Sequence, residues 1–156
     1  MADEKTARVK YLFMDIVGYT KGRSTDAQSE IIRYQNSIVC EALEAERIKP
    51  AHRILIPTGD GMCIALIKGS QPLDILVRLA LAILDRIAKH NSIAPDKAHQ
   101  FEVRIGLNEN EDNLVIDING RPNVAGAGIN MAQRVMSKGD AGHVLNGRIG
   151  PHDVGS

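Results

Sequence analysis

The spacing of apolar residues is the feature of this chain that most constrains its fold, because strands repeat every two residues and helices about every 3.6. Residues 9–14 form a short apolar run, which predicts a buried strand that ends at Asp15. Residues 52–57 and 62–67 are two further apolar runs, separated by Thr58-Gly59-Asp60-Gly61, a sequence typical of a tight turn. We therefore expect an antiparallel hairpin with a carboxylate near its tip.

Two long stretches carry apolar residues at helical intervals. The first begins at the capping-box sequence Thr25-Asp26-Ala27-Gln28 and continues towards Pro50. The second begins at Ser70, has a proline in its first turn and ends near Asn91. A third, shorter helix is predicted over residues 126–136.

The remaining runs complete the order β-α-β-β-α-β. Residues 101–107 and 114–118 are predicted strands, and the acidic, polar residues 108–113 between them are predicted to form a turn. A short strand is predicted near residues 143–145. This order is the split-βαβ, ferredoxin-like arrangement of the α+β class, with a mostly antiparallel sheet and helices on one face. We expect one domain over residues 1–156.

Charge and composition exclude several classes of partner. Lys+Arg and Asp+Glu both number 19, so the net charge is +0 and the chain lacks the basic field of nucleic-acid-binding proteins. Aromatic residues make up 3% of the chain, too few for stacking on bases. Charged residues interrupt the most apolar stretch, residues 73–88, so we expect no membrane partner. With two cysteines outside any C-x-x-C pattern and no signal peptide, we expect a cytoplasmic protein.

Asp15 and Asp60 are the most informative polar residues. Each lies where an apolar run enters a glycine-containing loop, and in a split-βαβ sheet the first strand lies beside the hairpin. Their carboxylates can therefore converge and hold a pair of Mg²⁺ or Mn²⁺ ions over a triphosphate. The alternative, which the spacing leaves equally open, is two aspartates that only cap turns.

Two further groups suit a nucleotide. The loop Ile16-Val17-Gly18-Tyr19-Thr20 follows Asp15 and could form a phosphate-binding nest of backbone amides, although no Walker A sequence is present. Asn130 and Arg134 are four residues apart on the third predicted helix and project from one face, where an amide and a guanidinium suit a sugar and a phosphoryl group. The alternative is a solvated arginine on an amphipathic helix.

These residues occur in the order and spacing of a known family, and the chain resembles class III nucleotidyl cyclase catalytic domains over roughly residues 8–147. Residues 56–63 and 117–130 are more closely similar to the bacterial pyrimidine cyclases of anti-phage defence systems. The sequences that carry the resemblance are Phe13-Met-Asp15-Ile-Val-Gly-Tyr-Thr20, Gly59-Asp60-Gly61, Val103-Arg-Ile-Gly-Leu107 and Gly126-Ala-Gly-Ile-Asn130-Met-Ala-Gln-Arg134.

The resemblance implies a role for each matched residue. Asp15, Asp60 and the backbone carbonyl of Ile16 would hold two Mg²⁺ or Mn²⁺ ions per site. Asn130 would orient the ribose and Arg134 would stabilise the transition state. The backbone that would cradle the β- and γ-phosphates is formed by Val17, Gly18, Tyr19 and Thr20.

The same resemblance implies a homodimer with two composite active sites. One subunit would supply the aspartates, and the other would supply Asn130 and Arg134. The substrate would be a nucleoside triphosphate, and the cyclic nucleotide product would act on a downstream effector protein.

The departures from the family pattern concern the base. Adenylate cyclases carry Lys and guanylate cyclases Glu at the position of Ile56, and adenylate cyclases carry Asp or Thr at that of Asn123, so neither purine code is present. We therefore expect a pyrimidine substrate, with UTP favoured because the near match resembles uridylate-making members. An adenylate or guanylate cyclase and an inactive nucleotide-binding domain are the alternatives.

Two other departures concern the second half of the chain. Asn108-Glu109-Asn110 replaces the usual His-Thr-Gly. The chain also stops soon after Leu145, where cyclase domains usually continue, which leaves open that it is a domain truncated at its C-terminus.

Overall fold

A computed structural model describes residues 5–68, 71–139, 142 and 144–146, which form one sheet with helices on both of its faces. Its strands are β1 (Lys5–Ile16), β2 (Arg53–Pro57), β3 (Gly61–Leu66), β4 (Val103–Ile116), β5 (Pro122–Ala125) and β6 (Val144–Asn146). Its helices are α1 (Thr25–Ala45), α2 (Ile75–Ile93) and α3 (Gly128–Ser137), with short 3-10 turns at Pro50–His52 and Lys97–His99.

The sheet has the order β2-β3-β1-β4-β5, and β6 pairs in parallel with the first half of β4. All the other pairs are antiparallel. The predicted α+β fold with a mostly antiparallel sheet is therefore confirmed, and so is the hairpin of β2 and β3. No helix in the described part of the chain has the length and apolarity needed to cross a membrane.

Apolar residues of β1 alternate between the two faces of the sheet. Leu12, Met14 and Ile16 face the two long helices and share a core with their apolar stripes. Tyr11 and Phe13 point to the opposite face, where they share a second cluster with residues of α3. The two long helices thus cover one face as predicted, whereas the short α3 packs on the other face, which the expected arrangement with helices on one face did not include.

The prediction of a turn at residues 108–113 was wrong. These residues continue β4 without interruption, because β1 starts as early as Lys5 and pairs with β4 along its whole length, from Lys5 opposite Leu114 to Ile16 opposite Val103. Polar side chains can occupy a strand when its alternate positions find partners. In β4 these partners lie in β1 and α3, which no local pattern reveals.

Smaller differences concern the ends of elements. Ser24, rather than Thr25, caps α1, because its hydroxyl accepts from the amide of Ala27 at 3.2 Å. Helix α3 begins at Gly128, two residues later than predicted, because Gly126 has a φ of 148°, which is incompatible with a right-handed helix. Ser70 and His143, which the sequence placed at the start of a helix and of a strand, lie outside the described residues.

Candidate active site

A cleft of about 500 Å³ opens at the end of β1, where the chain leaves the sheet. It contains both of the aspartates that the sequence singled out, together with the loop that follows β1. The residues that line it are Asp15, Ile16, Val17, Gly18, Tyr19, Thr20, Asp60, Arg104 and Gly139.

The pairing of β1 with β3 brings the two aspartates together. Asp15 lies opposite Gly61, and the carbonyl of Asp60 accepts a hydrogen bond from the amide of Ile16 at 2.8 Å. Glycine is required at position 61, since a Cβ atom there would lie 2.0 Å from the carbonyl oxygen of Met14. Both aspartates are half-buried, so their carboxylates face a cleft that water and small ligands can enter.

Arg104 is a site residue that the sequence analysis missed, although it lies within one of the matched segments. It stands directly opposite Asp15 on β4. Its Nε donates to Oδ1 of Asp15 at 3.1 Å and its terminal nitrogen donates to Oδ2 at 2.8 Å, which is the fork geometry of a strong ion pair. Only the register of β1 on β4 reveals this pair.

The loop at residues 16–20 is held from outside by Arg23. This guanidinium donates to the carbonyls of Gly18 at 2.7 Å and Tyr19 at 3.1 Å. Its other nitrogens donate to the carbonyls of Ala98 at 3.1 Å and Gln100 at 2.8 Å. Arg23 thus fastens the loop to the segment before β4, and no sequence pattern indicated this role.

The amides of the loop differ in their availability. The Val17 amide donates to the carbonyl of Glu102 at 2.9 Å, so the fold already uses this member of the predicted phosphate cradle. Within the described residues, the amides of Gly18, Tyr19 and Thr20 make no hydrogen bond. These three are the amides that remain for an anion.

The donors in the cleft fit a hard divalent cation. Two carboxylates and the adjacent backbone carbonyl of Ile16 are all oxygen ligands, the type that Mg²⁺ and Mn²⁺ prefer. In the part of the chain that the structure describes, no group of three or more His, Cys, Asp or Glu side chains could hold a metal. A two-carboxylate site leaves positions for water and phosphate oxygens, as is usual for Mg²⁺.

The other predicted site residues lie elsewhere. Asn130 and Arg134 are exposed on α3 and do not line the cleft. Ile56 and Asn123 are half-buried on β2 and β5, the strands at the two ends of the sheet order. The amide oxygen of Asn123 accepts from the backbone of Val124 at 2.8 Å. One chain therefore brings together the residues expected for metal and triphosphate, and leaves those expected for ribose and base outside the cleft.

Comparison with known families shows to which of them the chain belongs. The family model for the adenylate and guanylate cyclase catalytic domain matches residues 1–146. The chain belongs to this family. No curated protein matches its sequence.

Solved cyclase structures share the fold at low sequence identity. The monomeric guanylyl cyclase domain of the RhoGC fusion protein from the fungus Blastocladiella emersonii is 19% identical, with a TM-score of 0.73 over 93% of this chain and 82% of that one. The adenylyl cyclase CyaB from P. aeruginosa is 16% identical, with a TM-score of 0.73 over 93% and 79% of the two chains. The guanylate cyclase domain of RhGC from Catenaria anguillulae, solved with GTP, is 20% identical, with a TM-score of 0.69 over 93% and 80%. These similarities show the cyclase fold.

Proposed function

We propose that this domain converts a pyrimidine nucleoside triphosphate, UTP in preference, into the 3′,5′-cyclic nucleotide and pyrophosphate. The observation that carries the proposal is the meeting of Asp15 and Asp60 in one cleft with three available loop amides and the Arg104 guanidinium. Such a cleft combines cation ligands with donors for an anion, which is what a metal-bound triphosphate requires.

Different residues of the chain have different roles in the proposed reaction. Asp15, Asp60 and the Ile16 carbonyl would hold the cations, and the loop amides would bind the β- and γ-phosphates. When bound, two divalent cations supply activation of the ribose 3′-hydroxyl and neutralisation of the departing pyrophosphate. The 3′-hydroxyl would lose its proton to water, its oxygen would form a bond to the α-phosphorus, and the bond from that atom to the pyrophosphate oxygen would break. Arg134 neutralises the charge that develops on the α-phosphoryl oxygens, and Asn130 orients the ribose.

We propose that a second copy of the chain completes each site. Asn130 and Arg134 are exposed on α3 and outside the cleft, so they are available to a neighbouring subunit. An Asp60→Asn protein and an Arg134→Ala protein should each be inactive or nearly so. Mixed in equal amounts and allowed to exchange, they should recover about a quarter of the wild-type rate, because half of the dimers then carry one intact site of two. A mixture no faster than its components would contradict a composite site.

Base selection is proposed to depend on Ile56 and Asn123. The aliphatic Ile56 cannot hydrogen-bond a purine edge, and an unpaired polar edge in a closed pocket costs about 1–3 kcal/mol. The Asn123 amide offers a donor and an acceptor and so matches either uracil or cytosine. The preference for UTP over CTP rests on the resemblance to uridylate-making cyclases.

The deciding experiment is incubation of the purified domain with ATP, GTP, CTP and UTP in Mn²⁺ or Mg²⁺, with products identified by mass spectrometry. Cyclic UMP as the main product is the expected result. Cyclic AMP or cyclic GMP as the main product would favour the alternative of a purine cyclase, the activity named for the solved neighbours. No product from a protein that binds nucleotide would indicate an inactive cyclase-homology domain.

The cellular role is also part of the proposal. We infer that the cyclic nucleotide is a cytoplasmic second messenger of anti-phage defence that acts on a separate effector protein. Bacteria that express the wild-type cyclase together with its effector protein should resist phage, and bacteria that express the Asp60→Asn cyclase with the same effector should not. Equal resistance of the two strains would exclude a role for the cyclase reaction.

A further inference from the structure

Of the carboxylates that the structure describes, Asp112 alone is buried, with 5% of its surface exposed. It lies on β4, two residues after Asn110, the last of the three residues that depart from the usual cyclase sequence. Removing a carboxylate from water costs several kcal/mol unless hydrogen bonds replace its hydration. A charged group retained in such a place requires a structural reason.

Three donors surround the Asp112 carboxylate. The hydroxyl of Tyr11 donates to Oδ2 at 2.6 Å, and the side-chain amide of Asn110 donates to Oδ1 at 2.8 Å. The backbone amide of Gly128 donates to Oδ2 at 3.1 Å. Tyr11 is itself fully buried, and its burial, followed by its hydrogen bond to Asp112, raises its pKa, so the hydroxyl keeps its proton and remains a donor.

These hydrogen bonds hold the first turn of α3. Gly128 is the first residue of that helix, and its N-cap residue Ala127 makes no side-chain capping bond. Asp112 takes over this function from the neighbouring strand, because it accepts one of the amides that a helix start leaves unpaired and places a negative charge at the positive end of the helix dipole. The carbonyl of Gly128 accepts from the side chain of Asn108 at 3.2 Å, so both backbone groups of this glycine are held by β4.

The contact is also closely packed. A Cβ atom on residue 128 would lie 2.3 Å from Oδ2 of Asp112 and 2.4 Å from Cε2 of Tyr11. Only glycine therefore allows the helix start to approach the carboxylate and the ring. The first turn of α3 therefore packs directly against β1 and β4.

Helix α3 is the element that carries Asn130 and Arg134. They lie two and six residues beyond Gly128, or about 3 and 9 Å along the helix axis. A displacement of the first turn is therefore transmitted to both side chains. In enzymes a misplacement of about 1 Å can cost 10²-fold in rate.

We propose that Asp112 is a positioning residue for the cyclase reaction: through Tyr11 and Gly128 it sets the place of α3 and hence the direction of Arg134 and Asn130. This inference rests on the proposed function. It also accounts for part of the departure from the family sequence, since Asn108 and Asn110 belong to the same hydrogen-bond network.

Kinetics of three variants test the proposal. Tyr11→Phe removes one donor, Asp112→Asn removes the charge while keeping the shape, and Asp112→Val removes every acceptor. We expect kcat to fall about 10-fold in the two milder variants while the KM for the nucleotide stays within about threefold, because the triphosphate cleft lies at the other end of β1 and β4, where Asp15 pairs with Arg104. The exposed Asp85→Asn on α2 is the matched control and should match the wild type.

Combination with Arg134→Ala separates positioning from general loss of structure. If Asp112 acts in part through Arg134, Asp112→Asn should slow the Arg134→Ala protein by clearly less than it slows the wild type, since residues that act as a unit are not additive. Folded Asp112→Asn and Tyr11→Phe proteins with wild-type kcat would overturn the inference. An Asp112→Asn substitution that lowers kcat by the same factor in the wild type and in the Arg134→Ala protein would also overturn it. An inactive wild-type protein would overturn the proposed function and this inference with it. Should Asp112→Val fail to fold, the two milder variants decide.

Discussion

The guanidinium of Arg104 pairs with both carboxylate oxygens of Asp15 across strands β1 and β4. Asp15 is thus a proposed cation ligand that already has a cationic partner. About 14% of the Asp15 side chain and 31% of the Arg104 side chain are exposed, so water screens the pair only partly. A divalent cation and the guanidinium therefore compete for the same carboxylate, and this competition has a measurable consequence.

Arg104→Gln should lower the concentration of Mn²⁺ needed for half-maximal activity and raise the KM for the nucleotide. The first effect follows because a positive charge beside the ligand repels the cation, and the second because the cleft loses a donor for phosphate oxygens. We expect each change to be about threefold to 10-fold, the scale of a charged hydrogen bond shared with solvent. The measurement is activity as a function of Mn²⁺ at saturating nucleotide. An increased requirement for Mn²⁺ would contradict the competition.

Asp15→Asn and Asp60→Asn should both reduce turnover by more than the roughly 10²–10³-fold that loss of one electrostatic donor costs. They should differ in stability. Asp15→Asn weakens the pair with Arg104, worth about 1 kcal/mol, which lowers the Tm by about 2–4 °C in a domain of this size. The Asp60 carboxylate makes no hydrogen bond or ion pair within the described residues, so its replacement should leave the Tm unchanged. Thermal unfolding and steady-state assays of both variants give the comparison, and equal Tm losses would count against it.

Arg23→Lys should weaken nucleotide binding without affecting the transition state. A lysine cannot span the four carbonyls that Arg23 joins, so the loop at residues 16–20 loses its fixed shape. We expect the KM for the nucleotide to rise about threefold to 10-fold and tripolyphosphate to inhibit correspondingly less, because the loop amides bind the phosphates. Arg33→Lys, on the exposed side of α1, is the control. An unchanged KM in Arg23→Lys would show that the loop does not need this brace.

His99 should make folding stability depend on pH. Its Nδ1 lies 2.6 Å from Asp96 and its Nε2 contacts Glu30 of α1, and these hydrogen bonds raise the pKa of His99 above its usual 6.5 and lower that of Asp96 below its usual 3.8. A raised folded-state pKa gives a contribution that is complete below pH 6.5 and is lost as the pH rises through the raised value. The lowered pKa of Asp96 gives a contribution that is complete above pH 3.8 and is lost as the pH falls.

His99→Gln should therefore lower the Tm most between pH 4 and 6.5, where both contributions are present, and the difference from the wild type should shrink above that range. Thermal unfolding of the two proteins from pH 4.5 to pH 9 measures it. A Tm difference that does not change with pH would show that His99 acts only through packing.

Much of the fold follows from local patterns. The strand of residues 9–14, the hairpin around Thr58-Gly59-Asp60-Gly61 and the two long helices are confirmed, because their apolar spacing has one simple way to be buried. The same local patterns gave a wrong prediction for residues 108–113. Their polar side chains indicate a turn to any local measure, and they form a strand because the long β1 pairs with them and α3 provides hydrogen-bond partners.

The sequence by itself determined the element order, the family and the residues that lie at the end of β1, because these depend on patterns and spacings along the chain. The tertiary structure alone decided which partner each charged side chain binds. Arg104 pairs with Asp15, Arg23 donates to the loop carbonyls, and Asp112 accepts from Tyr11 and Gly128. These partners stand 4 to 101 positions apart in sequence. Strand register and helix packing set the distances between their side chains, and hydrogen bonds and ion pairs depend on those distances.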